Sequence, residues 1–510
     1  MKTASLTEQS LYLMAGRLCS YLLELANPII FVRVLQQYDY GVYRQLMLLA
    51  STLFPIGQMG VTQGLFYFLR REPEKRDALV FQTFLFVFST GLVVLIALVL
   101  FSGSIADLFN SVEMSALMPL IAVHCFFMIS SSFLQSVIIA EGRAELAAAI
   151  TVLFQVIYSL FAIAGIIWTR DIVGLLYALV IYSAIRFVFQ VMYLRRRYHF
   201  TLASLDLPFL RRQLGYSLPM GVANISWLLQ QKLHSYFVAF MFTPAIYAVY
   251  SIGSYNLPFI TMLNAAVANT MAPALSVMQK DGQMEKLLRT WNSAMRKSNL
   301  LLCPAFVFLF LMADQFIIAL FSDAYSGAVP VFRISLLLVL VSSVRPEMLL
   351  QATAKTTYIM RLTVFRVPVA IGILYVFAHR WGVLGAISAN VVIETAFRFG
   401  FLRRASRVLG IPALALIQWG PNLRILAVAL LAGLPICAIR MVPFSHPLLS
   451  LAIGAVAYAA AYPGLSFLFR TVQPEEWRAA IDFGTRLFRR ASSKIPSFQR
   501  MSKTLPEAER

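Results

Sequence analysis

Apolar runs of bilayer length recur from residue 6 to residue 469, with only short polar breaks between them. A helix needs about 20 apolar residues to cross a membrane, so each run commits its segment to that form. We read about fourteen runs: 6–35, 41–69, 78–101, 115–140, 146–168, 172–194, 218–241, 245–274, 299–321, 330–354, 359–378, 383–402, 423–440 and 446–469. The turns at Thr169–Asp171 and Thr243–Pro244 are very short. Charged residues are 13% of the chain and mean hydropathy is +0.74, where a soluble chain carries about 25% charge. The sequence therefore predicts an all-α polytopic membrane protein.

The chain holds 43 Lys and Arg against 23 Asp and Glu, a net charge of +20. In a soluble protein that excess would suggest nucleic acid. In a membrane chain it marks cytoplasmic loops and an attraction for anionic lipid, so no nucleic-acid partner is expected. The connectors alternate accordingly. Arg70–Arg76, Arg195–Arg212, Lys280–Lys297, Lys355 and Arg403–Arg407 are basic, whereas Ser102–Glu113, Phe242–Pro244 and Ser322–Gly327 carry no Lys or Arg. Both termini and the basic connectors are expected in the cytoplasm. MKTASLTEQS lacks a cleavable signal pattern, so the first run is expected to stay as an anchor.

Chemistry-bearing motifs are sparse. There is no G-x-x-x-x-G-K-[ST], H-E-x-x-H or G-x-S-x-G, and the five histidines are scattered. Cys19, Cys125, Cys303 and Cys437 each sit alone in an apolar run and read as buried structural thiols, not a disulfide framework or a zinc site. No metal or cofactor is expected. Two cytoplasmic segments are amphipathic: Met284, Leu287, Leu288, Trp291 and Met295 recur at helical spacing, as do Trp477, Ile481, Gly484 and Phe488. Such helices are expected in the membrane interface.

The basic stretch after residue 194 divides six runs from six more. Tyr38-Asp-Tyr-Gly-Val-Tyr43 and Phe54-Pro55 in the second run are echoed by Ala245-Ile-Tyr-Ala-Val-Tyr250 and Leu257-Pro258. We expect two six-helix lobes related by a parallel repeat, plus two C-terminal helices. The segments are an N-lobe (1–194), a basic linker (195–217), a C-lobe (218–402), spans 13–14 (403–469) and a basic amphipathic tail (470–510).

Charges inside the runs point to a function. A charge at bilayer depth costs about 2.5 kcal/mol or more on insertion scales, so it faces a partner, a bundle interior or water. Arg17 and Glu24 share a helix face two turns apart. Glu394 and Arg398 form an i,i+4 pair with Glu first. Arg33 and Arg44 are placed near the outer surface. Arg17, Lys232, Arg345 and Arg366 lie well inside four runs and outnumber Glu24 and Glu394. Surplus buried cations need an anion. A transported anionic group would supply it, and arginine forks suit phosphate oxygens. The candidate substrate-binding residues are Arg17, Lys232, His234, Arg345 and Arg366, although His234 alone is as readily a packed core histidine. Structural pairing among the charges is the alternative.

Phe31-Val-Arg-Val-Leu-Gln-Gln-Tyr-Asp-Tyr-Gly-Val-Tyr43, the run to Met59-Gly60 and the exit Gly64-Leu-Phe-Tyr-Phe-Leu-Arg70 resemble the Wzx-type oligosaccharide-lipid flippases of the polysaccharide biosynthesis family. These belong to the multidrug/oligosaccharidyl-lipid/polysaccharide exporter superfamily. Gln36 stands where that family usually has glycine. The resemblance implies alternating access, with an undecaprenyl-diphosphate-linked glycan moved to the outer leaflet. It also implies a proton or sodium gradient, with Glu24 or Glu394 as candidates to carry the ion, and contact with glycan polymerase machinery. A lipid II flippase, a MATE-like antiporter and a membrane glycosyltransferase or glycan polymerase are the competing readings.

Overall fold

The computed structural model describes residues 6–200, 205–255, 257–353, 355–442 and 446–472. The side chains of 6–15, 17, 18, 22, 356 and 357 lie outside that description, as does the tail face of Trp477, Ile481, Gly484 and Phe488. All regular structure among the described residues is helical.

The first half of the chain forms α1 (Leu6–Val34), α2 (Gln37–Gln58), α3 (Val61–Arg71), α4 (Arg76–Leu100), α5 (Ser102–Leu108), α6 (Val112–Ser130), α7 (Leu134–Ala140), α8 (Ala144–Thr169) and α9 (Ile172–Arg195). The second half forms α10 (Leu207–Met241), α11 (Pro244–Gly253), α12 (Pro258–Lys280), α13 (Met284–Leu311), α14 (Ala313–Phe321), α15 (Ala328–Ser343) and α16 (Glu347–Ala352). After these come α17 (Thr356–Leu409), α18 (Ala413–Leu416), α19 (Trp419–Ala432), α20 (Leu434–Met441) and α21 (Pro447–Leu468). Ten helical segments of the described residues are long and apolar enough to cross a membrane, which makes this a multi-pass membrane protein.

The chain does turn at 169–171 and at 242–243. Other runs prove discontinuous. Met59 and Gly60 both take positive φ and separate α2 from α3. Helix α11 ends at Gly253 and α12 begins at Pro258. The first break follows Pro55 and the second precedes Pro258, so the two proline-bearing runs break at different points. Gly382 (φ 57°, ψ −139°) divides α17 into two arms. Helix α10 begins at Leu207, inside the stretch expected to be linker. Asp206 caps it: its carboxylate accepts from Phe209 N at 2.9 Å and from Lys75 Nζ at 2.7 Å. Those two donors hold its carboxyl below the ordinary aspartate value.

Two further expectations are corrected. Leu287, Trp291 and Met295 pack in a core with Met348, Leu349 and Leu402, so that face of α13 is buried and does not lie on a membrane surface. The same core holds residues of α16, α17 and α18. Cys125 and Cys303 are buried, but Cys19 and Cys437 are exposed.

The halves meet at both ends. At the end where α2 begins, α2 packs along α11, and a side chain at Gly41 would overlap the Pro244 carbonyl. Buried Gln45 donates to Phe109 O at 3.2 Å and Ala239 O at 3.3 Å, and Arg33 donates to Ala319 O at 2.8 Å. Tyr40 stacks edge-on against Tyr325 with centroids 6.0 Å apart. At the other end α3 lies on the start of α10, where Gly60 and Gly221 permit backbone contact. Arg212 pairs with Glu72 there.

Gly41→Val is expected to destabilise the protein by about 1–3 kcal/mol, because a close-packed backbone junction has no room for it. Gly103→Ala, with open space around it, should be near neutral. Thermal unfolding of both variants in detergent measures the difference.

Candidate functional site

Apart from Arg186 of α9, which donates to the Tyr182 hydroxyl at 3.4 Å, the interior charge of the candidate site falls into two groups. The first lies between the halves. Glu24 on α1 is solvent-exposed yet within electrostatic reach of Arg44 on α2 and of Tyr255 at the α11–α12 break. Lys232 on α10 donates to Ser51 Oγ on α2 and also feels Arg44. Arg44 itself is drawn among Tyr40, Tyr43, Tyr247 and Tyr255, and its Nε has no hydrogen-bond partner among the described residues. The expectation that Arg44 sits at the outer surface is therefore corrected. It is an interior cation, close to the α2–α11 junction. Its side chain is long enough to run inward from a helix end, which sequence position alone does not reveal.

The second group lies inside the second half. Glu394 accepts from Arg366 Nη2 at 2.7 Å and from Arg398 Nε at 2.9 Å. The three side chains are 19%, 15% and 17% exposed, so this clasp is largely removed from water. Arg398 also reaches Val344 O at 2.5 Å, and the Arg366 guanidinium lies over the Phe397 ring at 5.6 Å. Arg345 donates to Asn264 O at 2.6 Å and stands 3.6 Å from the Glu347 carboxylate. Glu347 is a partner the surplus-cation reading did not count. Three arginines face two glutamates here, and in the first group Arg44 lies within electrostatic reach of both Glu24 and Lys232. Each group keeps one net positive charge.

A cavity of about 210 Å³ opens beside the clasp. Gln231 and His234 of α10, Asn264 of α12, Ser342 of α15 and Asn390, Glu394 and Arg398 of α17 supply its polar lining. Asn264 Nδ2 donates to Ser342 Oγ at 3.1 Å. His234 Nδ1 is 2.7 Å from the hydroxyl of fully buried Tyr250. Tyr255 also lines this cavity, so one residue borders both charge groups.

The structure thus gathers His234, Glu394 and Arg398 at one cavity, with Arg366 lining a smaller void that shares His234 and Asn390 with it, and Arg345 next to Asn264. Lys232 and Glu24 belong to the inter-half cleft. The Arg17 side chain lies outside the described residues. Sequence reasoning missed Arg44, Tyr255, Asn264 and Asn390. Only the Tyr40, Tyr43, Arg44 spacing along one helix offered a signal, and the asparagines offered none.

The family described as polysaccharide biosynthesis protein matches residues 30–330, more than half of the chain. The chain belongs to that family. No curated protein matches it in sequence. Solved structures similar to this polysaccharide biosynthesis family member include the lipid II flippase MurJ in an inward closed conformation, at 15% identity and TM-score 0.66, covering 90% of this chain and 98% of that one. Another is an inward-facing multidrug resistance MATE family transporter of the MOP superfamily, at 15% identity and TM-score 0.64, covering 77% and 94%. A MOP superfamily transporter from Pyrococcus furiosus aligns at 15% identity and TM-score 0.52, covering 79% and 95%. At such identity the likeness shows the fold: this chain has the MOP-type architecture.

Removing Glu394 would leave two arginines facing each other in a site mostly closed to water. Glu394→Ala is expected to cost about 3 kcal/mol. Arg366→Met combined with Glu394→Met should cost less than the single change. Equal losses in chemical denaturation would contradict a paired clasp.

Proposed function

We propose that the protein is a flippase that turns an undecaprenyl-diphosphate-linked oligosaccharide from the cytoplasmic to the outer leaflet, for surface or exopolysaccharide synthesis. The observation that carries this reading is the interior charge of a polysaccharide biosynthesis family member: two polar groups with one uncompensated cation each. An anionic headgroup would complete that balance, and a guanidinium or ammonium donor binds a diphosphate through charge-assisted hydrogen bonds. The protein acts as a transporter and not as an enzyme.

Fourteen crossings in two lobes suit this mechanism, and matching helix pairings support them. In the first half α1 packs on α8, α4 on α6, α2 on α6 and α6 on α9. In the second α10 packs on α17, α13 on α15, α11 on α15 and α15 on α17. In alternating access the lobes would rock about their junctions, exposing the cleft to each side in turn. The polar cleft between them would seat the diphosphate, at Arg44, Lys232 and Arg17. The cavity beside His234, Arg345, Arg366 and Arg398 would take further polar groups of the headgroup. Glu24 is the better coupling residue of the two acidic candidates, because Glu394 is already held by two arginines. A proton or a sodium ion would ride on it. The setting is a bacterial cytoplasmic membrane, with both termini inside and glycan polymerase machinery receiving the product.

A second reading, a flippase for lipid II, is favoured by one observation: the alignment with the lipid II flippase MurJ spans 98% of that chain. A drug antiporter for cationic compounds fits the net basic interior less well.

Flipping of a fluorescent undecaprenyl-diphosphate oligosaccharide in proteoliposomes tests the proposal. The intact protein should flip it, and Lys232→Ala should slow flipping about tenfold, the loss of one charged hydrogen bond. Preferential flipping of lipid II would favour the second reading. Folded protein that flips neither lipid would overturn both.

A further inference from the structure

A groove of about 340 Å³ opens where α12 and α13 run side by side. Met271 of α12 and Arg289, Thr290, Ser293, Ala294 and Lys297 of α13 line it. It takes no part in the interior site, and its charge needs its own account.

Register along α13 supplies that account. Arg289, Ser293 and Lys297 are spaced by four, so they share one helix face. The next residue on that face is Leu301, which is 57% exposed. The face thus passes from charge and hydroxyl to exposed hydrocarbon within about one turn, or roughly 5 Å. That is the profile of a helix crossing from lipid headgroups into acyl chains. Arg289 pairs with Glu285 at 2.6 Å, but both are about four-fifths exposed, so water screens the pair. No carboxylate pairs with Lys297 among the described residues. The groove therefore presents two cations and two hydroxyl donors, Thr290 and Ser293, over the apolar Met271.

We propose that this groove binds the phosphate of a membrane lipid in the cytoplasmic leaflet. Lys297 and Arg289 would donate to the non-bridging phosphate oxygens, the Thr290 and Ser293 hydroxyls would add hydrogen bonds, and the acyl chains would lie along Leu301. The lipid is either a resident anionic phospholipid or the polyprenyl diphosphate carrier, since both present the same phosphate chemistry at this depth. The proposal does not depend on what the protein transports.

Native mass spectrometry of the full chain, titrated separately with phosphatidylglycerol and with undecaprenyl diphosphate, tests it. Arg289→Gln with Lys297→Gln should weaken the tightest binding step by about fivefold for each charge removed, the value of a basic residue near an anionic membrane surface. Glu285→Gln, which frees Arg289, should tighten it. Lys280→Gln with Lys286→Gln alters exposed charges outside the groove and should leave that step unchanged. A loss confined to phosphatidylglycerol identifies a phospholipid site, and a loss confined to undecaprenyl diphosphate identifies the carrier. Unchanged binding of both lipids by the groove variant would overturn the proposal, as would an equal loss in the Lys280/Lys286 control.

Discussion

A charge placed at bilayer depth must be answered by another charge, by hydrogen bonds or by water. The interior of this protein follows from that requirement. Glu394 is answered twice, by Arg366 and Arg398, and Arg345 by Glu347 and the Asn264 carbonyl. These contacts tie α12 to the α15–α16 connection and the two arms of α17 to each other. Arg44 instead stands near Glu24 within the first half and near Lys232 across the seam between the halves. One group is mostly closed to water and mostly paired, whereas the other stands at a seam with an exposed carboxylate. A bundle clasped by charge within its second half and polar along the division between the halves is suited to moving as two bodies.

The seam is fixed by backbone contact at its two ends. Gly41 lets α2 lie against Pro244, and Gly60 with Gly221 lets α3 lie against α10. Such junctions are short and depend on small residues, as helix contacts in lipid generally do. Tyr40, Tyr43 and Tyr325 fill the space beside the first junction. Tyr40 and Tyr43 also lie within electrostatic reach of Arg44, so the aromatic cluster and the cationic interior share a boundary.

Much of the helical architecture was legible because twenty-residue apolar runs leave the backbone little choice in lipid. Thr169–Asp171 and Thr243–Pro244 were readable as turns from a few polar residues. The breaks at Met59–Gly60 and between α11 and α12 were not, since hydropathy is continuous across both. Of the buried charges, only Glu394 with Arg398 was legible as a pair, from its i,i+4 spacing; the other partners were not. Glu347 lies two residues from Arg345 in sequence, and Arg366 meets Glu394 only because Gly382 folds the two arms of α17 together. Leu287, Trp291 and Met295 carried an amphipathic period that fits a membrane surface and a buried core equally well. The presence of α16 and α17 opposite them decided it, and a periodicity contains no information about its partner.

The central claim is that the halves rock about the polar seam. Paired spin labels measure it directly: Val112 with Ser326 at the α2–α11 end, and Gly142 with Val277 at the other, all exposed positions. In liposomes, adding an undecaprenyl-diphosphate oligosaccharide should move the two distance distributions in opposite directions, one end opening as the other closes. Two distributions that stay fixed in the presence of a bound substrate would contradict the account.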